Sequence, residues 1–326
     1  MDDRLGEVAL ARWHELARKC RTILLLALAV PAALLIRVLR PVVRVRVGPF
    51  RSHTIGHFAV NVELHLCERD AGMHGPRTID LFYHGSLVCN EQLKKMCDRT
   101  LRVSVFGRAL ARINRLLPGA EHHMIPRRRH RERDIHGLLA QSAPHLLFTG
   151  AEERIGETAI REMGMTGDAS WVCFHARDQS YWNATLQDSD WSYDSYRDSN
   201  IRNYLPGVEE LTRRGFFAVR MGAVVNEPLL ASNPMIIDYA TGYRTDFLDI
   251  YLGAKCKFFI SSHSGIWAIP TTFRRPIAWV DFVPLEYVYT HNPDDVMIPR
   301  KLWLRNEGRF LTFSEILNSD IGRFLE

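Results

Sequence analysis

The feature that most constrains this chain is an alternation of short apolar runs with segments of helical periodicity, repeated between residues 42 and 282. The runs VVRVRVG (42–48) and TIDLFYHG (78–85) are typical of strands, and each precedes a segment whose apolar residues recur every three or four positions. Strand, loop and helix in that order build parallel sheets that carry helices on their faces. The sequence therefore predicts an α/β fold.

The same order of elements begins again after residue 169. Four apolar runs predict further strands, at 170–178, 216–222, 257–265 and 274–282, and helical patterns lie between them. The stretch GAEERIGETAIREMGMTGDAS has no strand pattern, so we place a domain boundary between residues 150 and 170. We expect two facing Rossmann-like domains, residues 41–160 and 161–326, with a cleft between them.

Charge and cysteine content exclude several classes of protein. The chain has 42 basic and 37 acidic residues, and residues 1–46 hold nine of the basic and four of the acidic ones. That segment alone carries the whole net charge of +5, so the rest is neutral and no nucleic-acid partner is expected. Six cysteines without CxxC spacing argue against a zinc ribbon and are typical of a reducing cytosol.

Residues 1–40 predict a membrane anchor. An apolar run of 15 residues, 22–36, is shorter than the roughly 20 residues of a spanning helix, has basic residues on both sides and contains Pro31. These features favour a peripheral or monotopic anchor on an anionic cytoplasmic leaflet. A short single span, a signal peptide and a buried core helix remain alternatives.

Polar residues follow the predicted strands of the second half, where ligands bind in parallel sheets. In the loop SSHSG (261–265), Ser262, Ser264 and Gly265 open a helix, and a helix N-terminus binds anions. An ordinary N-cap explains that serine pattern equally well.

Three more strand ends or loops carry charged residues. FHARD places His175, Arg177 and Asp178 after one strand, and a guanidinium fork matches a diphosphate, although an ion pair is the plainer alternative. Arg220 ends FAVRMG and is either an anion ligand or a solvated strand terminus. Asp246 lies where a helix begins, and a helix cap is its simplest role.

The loop after the first strand of the first half holds Gly56 and His57. Imidazoles titrate near neutral pH, so His57 is a candidate general base toward a hydroxyl group, or else a histidine that only lines the cleft. The arginines at 127, 128, 129 and 131 indicate a solvated loop or a site for an anionic acceptor or lipid headgroup.

Several other chemistries lack their motifs. The chain has no GxxxxGK[ST], GxGxxG after the first strand, HExxH or GxSxG. One DxD triplet, 188–190, lies in a polar loop rather than directly after a strand, which disfavours metal-dependent sugar transfer without excluding it. We expect neither a metal nor a cofactor.

Four blocks in fixed order carry a resemblance: RSHTIGHFAVNVELHL, WVCFHARD, YRDSNIRNYLPGVEELTRRGFFAVRMG and DFLDIYLGAKCKFFISSHSGIWAIPTTFRRPIAWVD. Together they resemble a bacterial family of inferred glycosyltransferases found with surface-polysaccharide genes. SSHSG and IGH are similar to loops of lipopolysaccharide heptosyltransferases, with His263 and His57 where those enzymes have acidic residues. FHARD resembles the His-x-Arg motif of fucosyltransferases.

The resemblance implies a two-Rossmann, GT-B-like glycosyltransferase that needs no metal. It implies a nucleotide-sugar donor held by the C-terminal half through His175, Arg177, Asp178, Arg220, Asp246, Ser262, Ser264 and Gly265. Gly56 and His57 would face a glycan or lipid-linked acceptor at the cytoplasmic face of the bacterial inner membrane. The alternatives are a non-catalytic sugar-binding scaffold of a membrane assembly and a nucleotide-sugar-modifying enzyme such as an epimerase.

Overall fold

The computed structural model describes residues 2–126, 132–166, 168–185, 190, 192–289 and 291–322. Its strands are β1 (Arg44–Pro49), β2 (Thr78–Tyr83), β3 (Trp171–His175), β4 (Phe217–Arg220), β5 (Ile236–Ile237), β6 (Phe259–Ser261), β7 (Ile277–Phe282), β8 (Val296–Pro299), β9 (Trp303–Leu304) and β10 (Arg309–Phe310). Its α-helices are α1 (Asp2–Val38), α2 (Ile55–Asp70), α3 (Glu91–Thr100), α4 (Phe106–Asn114), α5 (Gly150–Glu162), α6 (Ser180–Thr185), α7 (Leu205–Arg213), α8 (Tyr239–Gly242), α9 (Asp246–Lys255), α10 (Ala268–Thr272) and α11 (Phe313–Leu317). The chain has an α/β fold, as its sequence predicts.

Helix α1 continues through Pro31 and contains a segment, Arg12–Val38, that is long and apolar enough to cross a membrane by length and composition. Its side chains are exposed on all sides from residue 12 to residue 24. Farther along, Ala29, Ala33 and Ile36 are buried, and the last two share a hydrophobic cluster with residues of α4 and β1. The end of the apolar run is therefore part of the N-terminal core.

The N-terminal half contains a small parallel sheet. β1 and β2 pair in register from Arg44–Thr78 to Pro49–Tyr83, and single bridges add Met124 beside β1 and Val103 beside β2. α2, α3 and α4 pack around this sheet. Both strands and the helix after each lie where the sequence predicts them, because apolar residues alternate with period two in the strands and recur with helical period between them.

The C-terminal half contains six parallel strands in the order β5-β4-β3-β6-β7-β8. If these six strands are renumbered 1 to 6 in chain order, with β3 as strand 1, the order becomes 3-2-1-4-5-6, which is that of a doubly wound Rossmann sheet. The strand order reverses between β3 and β6, so the ends of these two strands border the crevice where such sheets bind ligands. β3 and β6 are the strands whose polar ends the sequence analysis marks.

The two halves are joined by side chains as well as by the chain. The carboxylate of Glu63 on α2 accepts a hydrogen bond from Arg274, which follows α10, at 2.6 Å. Lys255 on α9 pairs with Glu153 on α5 at 2.7 Å. The expected boundary at residue 160 falls within α5, and the division into domains stays a prediction.

Candidate active site

The loops after β3 and β6 meet at the point where the strand order reverses. The backbone N–H of Arg177 donates to Oγ of Ser262 at 2.9 Å, and the backbone N–H of Ser262 points to the carbonyl of His175 at 3.4 Å. Ser262 is completely buried, so its hydroxyl braces the two loops against each other. The structure thus brings together two of the clusters that the sequence analysis selects.

The Arg177 side chain is buried and held by carboxylates. It donates to Asp194 at 2.9 Å and also pairs with Asp198, while Arg197 pairs with Asp194. Burial, followed by the nearby charge of Arg197, lowers the pKa of Arg177, and the two aspartates oppose that shift. The ion pair considered from sequence is therefore present, in a buried form, and binding of an anion by Arg177 stays a prediction.

The other charged residues at these strand ends also have protein partners. Arg220 is buried and donates to the Glu227 carbonyl at 2.7 Å and to Asp238 at 3.3 Å. The imidazole of His175 donates from Nδ1 to the Met221 carbonyl at 2.9 Å, and burial lowers its pKa. These contacts fix one wall of the crevice.

Asp178 and Asp246 act as caps on backbone N–H groups. Asp178 accepts a bond from Ser180 at 2.9 Å. Asp246 is the first residue of α9, whose N-cap is Thr245, and its carboxylate accepts from the backbone N–H of Glu91 at 2.8 Å. Asp246 therefore caps α3 of the other half, and a role for either aspartate in binding a ligand stays a prediction.

The loop after β6 keeps polar atoms available. Ser264 stands at the N-cap of the 3₁₀ turn Gly265–Trp267, which leads directly into α10. Its Oγ is buried and has no hydrogen-bond partner among the residues that the structure describes, whereas Gly265 is exposed. A buried hydroxyl without a partner is unfavourable by about 1–3 kcal/mol, a cost that a ligand oxygen could remove.

The N-terminal half approaches this loop backbone to backbone. A Cβ atom on Gly56 would lie 3.1 Å from both Cα and the carbonyl oxygen of Gly265. Glycine at position 56 allows the first turn of α2 to reach the loop, because a side chain there would crowd the backbone of Gly265. His57, the next residue of α2, is consequently placed beside the crevice.

His57 forms a pair with a buried carboxylate. Its Nδ1–H donates to Oε1 of Glu132, which also accepts from Asn61 at 3.3 Å and pairs with Arg51 at 3.4 Å. Burial raises the pKa of Glu132, but the hydrogen bond and charge of His57, the charge of Arg51 and the hydrogen bond from Asn61 together outweigh burial and lower it. In the tautomer that carries its proton on Nδ1, His57 has Nε2 as an acceptor, and the His57 side chain is about a third exposed.

The sequence analysis does not select Glu132. It lies 75 residues from His57 in a run dominated by arginine, and the four arginines at 127, 128, 129 and 131 fall outside the described residues. The C-terminal half fixes its backbone, because Nε2 of His291 donates to the Glu132 carbonyl at 3.1 Å and Arg133 donates to the Glu286 carbonyl. A single acidic residue in a basic run was its only signal in the sequence.

His263 points away from the crevice floor into an aromatic cluster. Its ring stacks on Phe282 with centroids 5.1 Å apart and lies 4.8 Å from the ring of Tyr287. Burial lowers the pKa of His263 to about 3, so this imidazole is neutral at physiological pH. Position 263 is thus occupied by an uncharged, packed ring.

Two side-chain groups among the described residues have the spacing of metal ligands, and each takes two of its three residues from α2 beyond His57. The first group is Glu63, Cys67 and His145. Its first two residues contact the guanidinium of Arg274, whose charge opposes a cation there. The second group is His65, Glu68 and His74. Asp188 and Ser189 of the DxD triplet lie outside the described residues, and independence from metal stays a prediction.

The comparisons with known proteins give distant similarities. No family model and no curated protein matches the chain. Among solved structures, Escherichia coli ADP-heptose lipopolysaccharide heptosyltransferase II is 12% identical with a TM-score of 0.46, and the match covers 84% of this chain and 94% of that one. A family 9 glycosyl transferase of Veillonella parvula is 12% identical with a TM-score of 0.49, covering 79% and 86%. An iron-containing dodecameric glycosyltransferase of enterotoxigenic E. coli is 13% identical with a TM-score of 0.41, covering 78% and 63%.

Proposed function

We propose that this protein is a glycosyltransferase that moves a sugar from a nucleotide-sugar donor to a hydroxyl group of a glycan or lipid-linked glycan. The observation that carries the proposal is the His57–Glu132 pair, which stands beside the crevice between the ends of β3 and β6. A base next to a nucleotide-type crevice is the arrangement that transfer to a hydroxyl requires.

The donor diphosphate would lie against the loop after β6. Ser264 Oγ has no hydrogen-bond partner among the described residues, and it lies beside the backbone N–H groups at the start of the 3₁₀ turn. Arg177 and Arg220 would contribute less than free arginines, because Asp194, Asp198 and Asp238 already neutralise their charge. Stabilisation of the departing diphosphate would thus come mainly from hydrogen-bond donors fixed in place before the reaction.

The chemical step follows from the geometry of the base. The acceptor oxygen attacks the anomeric carbon of the sugar, its proton passes to Nε2 of His57, and the bond from that carbon to the diphosphate oxygen breaks. Glu132 stabilises the imidazolium that forms and keeps the ring in one orientation, as the carboxylate does in other histidine–carboxylate pairs. No step in this scheme uses a metal.

We propose that helix α1 keeps the protein at a membrane. Its apolar residues and the flanking arginines favour an anionic surface, and a lipid-linked acceptor would be presented there. We propose the cytoplasmic face of the bacterial inner membrane and a role in surface-polysaccharide biosynthesis, in line with the family that the sequence resembles.

The first experiment screens nucleotide sugars by thermal shift and then analyses products with the best stabiliser and a glycan acceptor. His57→Ala should leave the donor-induced shift unchanged and lower turnover by about 10²–10⁴-fold, the usual contribution of a positioned base. His136→Ala, which changes an exposed histidine, is the matched control and should retain full turnover. EDTA should have no effect.

Three results would contradict the proposal. Near-native turnover in His57→Ala would show that His57 is not the general base. Stabilisation by donors without any product favours a sugar-binding scaffold. Conversion of the donor in the absence of an acceptor favours an epimerase-like enzyme.

A further inference from the structure

The uncharged part of α1 is too short to cross a bilayer alone. It comprises the fifteen residues 22–36, which at 1.5 Å per residue extend about 22 Å, against roughly 30 Å of hydrocarbon. The stretch before it contains Arg12, Glu15, Arg18, Lys19 and Arg21, and residues 12–24 are exposed on all sides. The purely apolar part of α1 begins only where the helix starts to pack on the protein.

The end of α1 is fastened to α4. The guanidinium of Arg37 donates to three carbonyl groups at the end of α4 and just beyond it, those of Asn114, Leu117 and Pro118, at 3.1–3.5 Å. In the same turns of α1 the apolar residues Leu34, Leu35 and Val38 are exposed. A lipid surface at this end of α1 would therefore lie next to α4.

The exposed side of α4 has the composition of a membrane-surface helix. Val105, Arg108, Arg112, Arg115 and Leu116 recur at helical spacing and are all exposed, with 71% of Val105 and 79% of Leu116 accessible. The segment 102–119 contains four arginines and no acidic residue. Large apolar residues interspersed with arginines fit the boundary between acyl chains and anionic headgroups.

We propose that the exposed sides of α1 and α4 together form one face, the α1–α4 face, that lies on an anionic lipid surface, so that the protein is monotopic and rests on its N-terminal half. This inference depends on the membrane association included in the proposed function, and it extends the contact beyond residues 1–40. The occupant is lipid because the face continues directly from the apolar part of α1 and carries positive charge without acidic neighbours in its own segment.

The test measures binding of the full-length protein to phosphatidylcholine vesicles with and without phosphatidylglycerol. Arg112→Gln with Arg115→Gln should weaken binding to the anionic vesicles by about 30-fold, because each basic residue near such a surface contributes roughly a factor of five. Binding to neutral vesicles should change much less. Arg305→Gln, at an exposed arginine of the C-terminal half, is the matched control and should bind like the unmodified protein.

A second measurement shows which labelled positions enter the lipid bilayer. An environment-sensitive label is placed at Leu116→Cys, Leu28→Cys or Leu230→Cys in a Cys20→Ser background, and quenching by nitroxide lipids is recorded. Leu28 belongs to the apolar part of α1, and Leu230 is an exposed leucine of the C-terminal half that serves as control. We expect quenching at 28 and 116 and none at 230.

The possible outcomes separate the two ideas. Quenching at 28 without quenching at 116, together with unchanged binding of the double arginine variant, overturns the α1–α4 face and keeps α1 as the anchor. Absence of quenching at both positions overturns the anchor and the face together, while turnover can still be measured. Cross-linking between two copies through position 116, without lipid quenching, assigns the face to a second copy and overturns the proposal.

Discussion

Replacing Arg274 by methionine should destabilise the whole protein, because it leaves the carboxylate of Glu63 buried without its cation. Glu63 is completely inaccessible, and Arg274 approaches Oε1 at 2.6 Å. The same guanidinium donates to the carbonyl groups of Leu139 at 2.8 Å and Ser142 at 3.1 Å. The side chain of Arg274 therefore joins the segment after α10 to α2 and to the turn at residues 139–142.

Breaking such a buried pair by removing one partner costs about 3–5 kcal/mol. His145 remains close, with Nδ1 2.9 Å from Oε1 of Glu63, which favours the lower half of that range. Glu63→Met with Arg274→Met removes both charges, so the double variant should be more stable than Arg274→Met alone. A double-mutant cycle then gives the coupling free energy of the pair.

Urea denaturation followed by tryptophan fluorescence measures these free energies, since Trp171, Trp267 and Trp279 are buried. Arg213→Met serves as control, because Arg213 pairs with Glu210 on the surface and should change the free energy of unfolding by less than about 1 kcal/mol. An Arg274→Met variant within about 1 kcal/mol of the unmodified protein would refute the reasoning. Glu63 lies on the same helix as His57, so lost turnover in a stable Glu63→Gln variant would give it a role in the chemistry.

Two other predictions concern stability. Burial lowers the pKa of His263 to about 3 and of His291 to about 4, so the unfolded state protonates these histidines first and both contributions to stability are lost as the pH falls below about 6.5. Burial raises the pKa of Asp249 and of Asp295 to about 6, and these two carboxyl groups oppose the loss. Each histidine removes about 2 kcal/mol by pH 5, and His291→Gln should flatten the dependence measured by urea denaturation. Gly156→Ala should destabilise, because a Cβ there would lie 2.2 Å from the ring of Tyr251, whereas Gly207→Ala on α7 meets no atom within 4 Å and should not; thermal unfolding separates the two.

Much of the C-terminal sheet could be predicted from the sequence. β3, β4, β6 and β7 lie within the four predicted runs, because central parallel strands are buried on both faces and appear as continuous apolar segments. β5 and β8 were not predicted. β5 has two residues and β8 is a partly exposed edge strand, so neither gives such a run.

The apolar run of α1 was predicted to be a separate anchor, whereas one side of its second half packs on the core. The alanines at 29 and 33 are buried where α1 meets the body. Alanine allows two helices to approach closely, so its recurrence at helical spacing was a signal of packing. Composition alone does not separate this helix from one that only contacts lipid, because both have an apolar surface.

The strand-end arginines illustrate a different limit. Arg177 and Arg220 lie at the positions that the apolar runs predict, but the carboxylates that hold them come from loops whose course the sequence pattern does not determine. Asp194 belongs to a 3₁₀ turn and Asp238 directly follows the short strand β5. The sequence predicts the location of a charge more readily than whether that charge is already neutralised.

His57 and Glu132 depend on both halves of the molecule, and this links the candidate chemistry to the packing between them. α2 carries His57 and also Glu63, while the Glu132 backbone is held by His291 beyond β7. A change at Arg274 should therefore disturb the histidine–carboxylate geometry without removing either group. Lower turnover in Arg274→Met would then result from altered positions of His57 and Glu132 rather than from the loss of a reacting group. Arg274→Lys tests this interpretation, because lysine restores a positive charge beside Glu63 and should recover turnover.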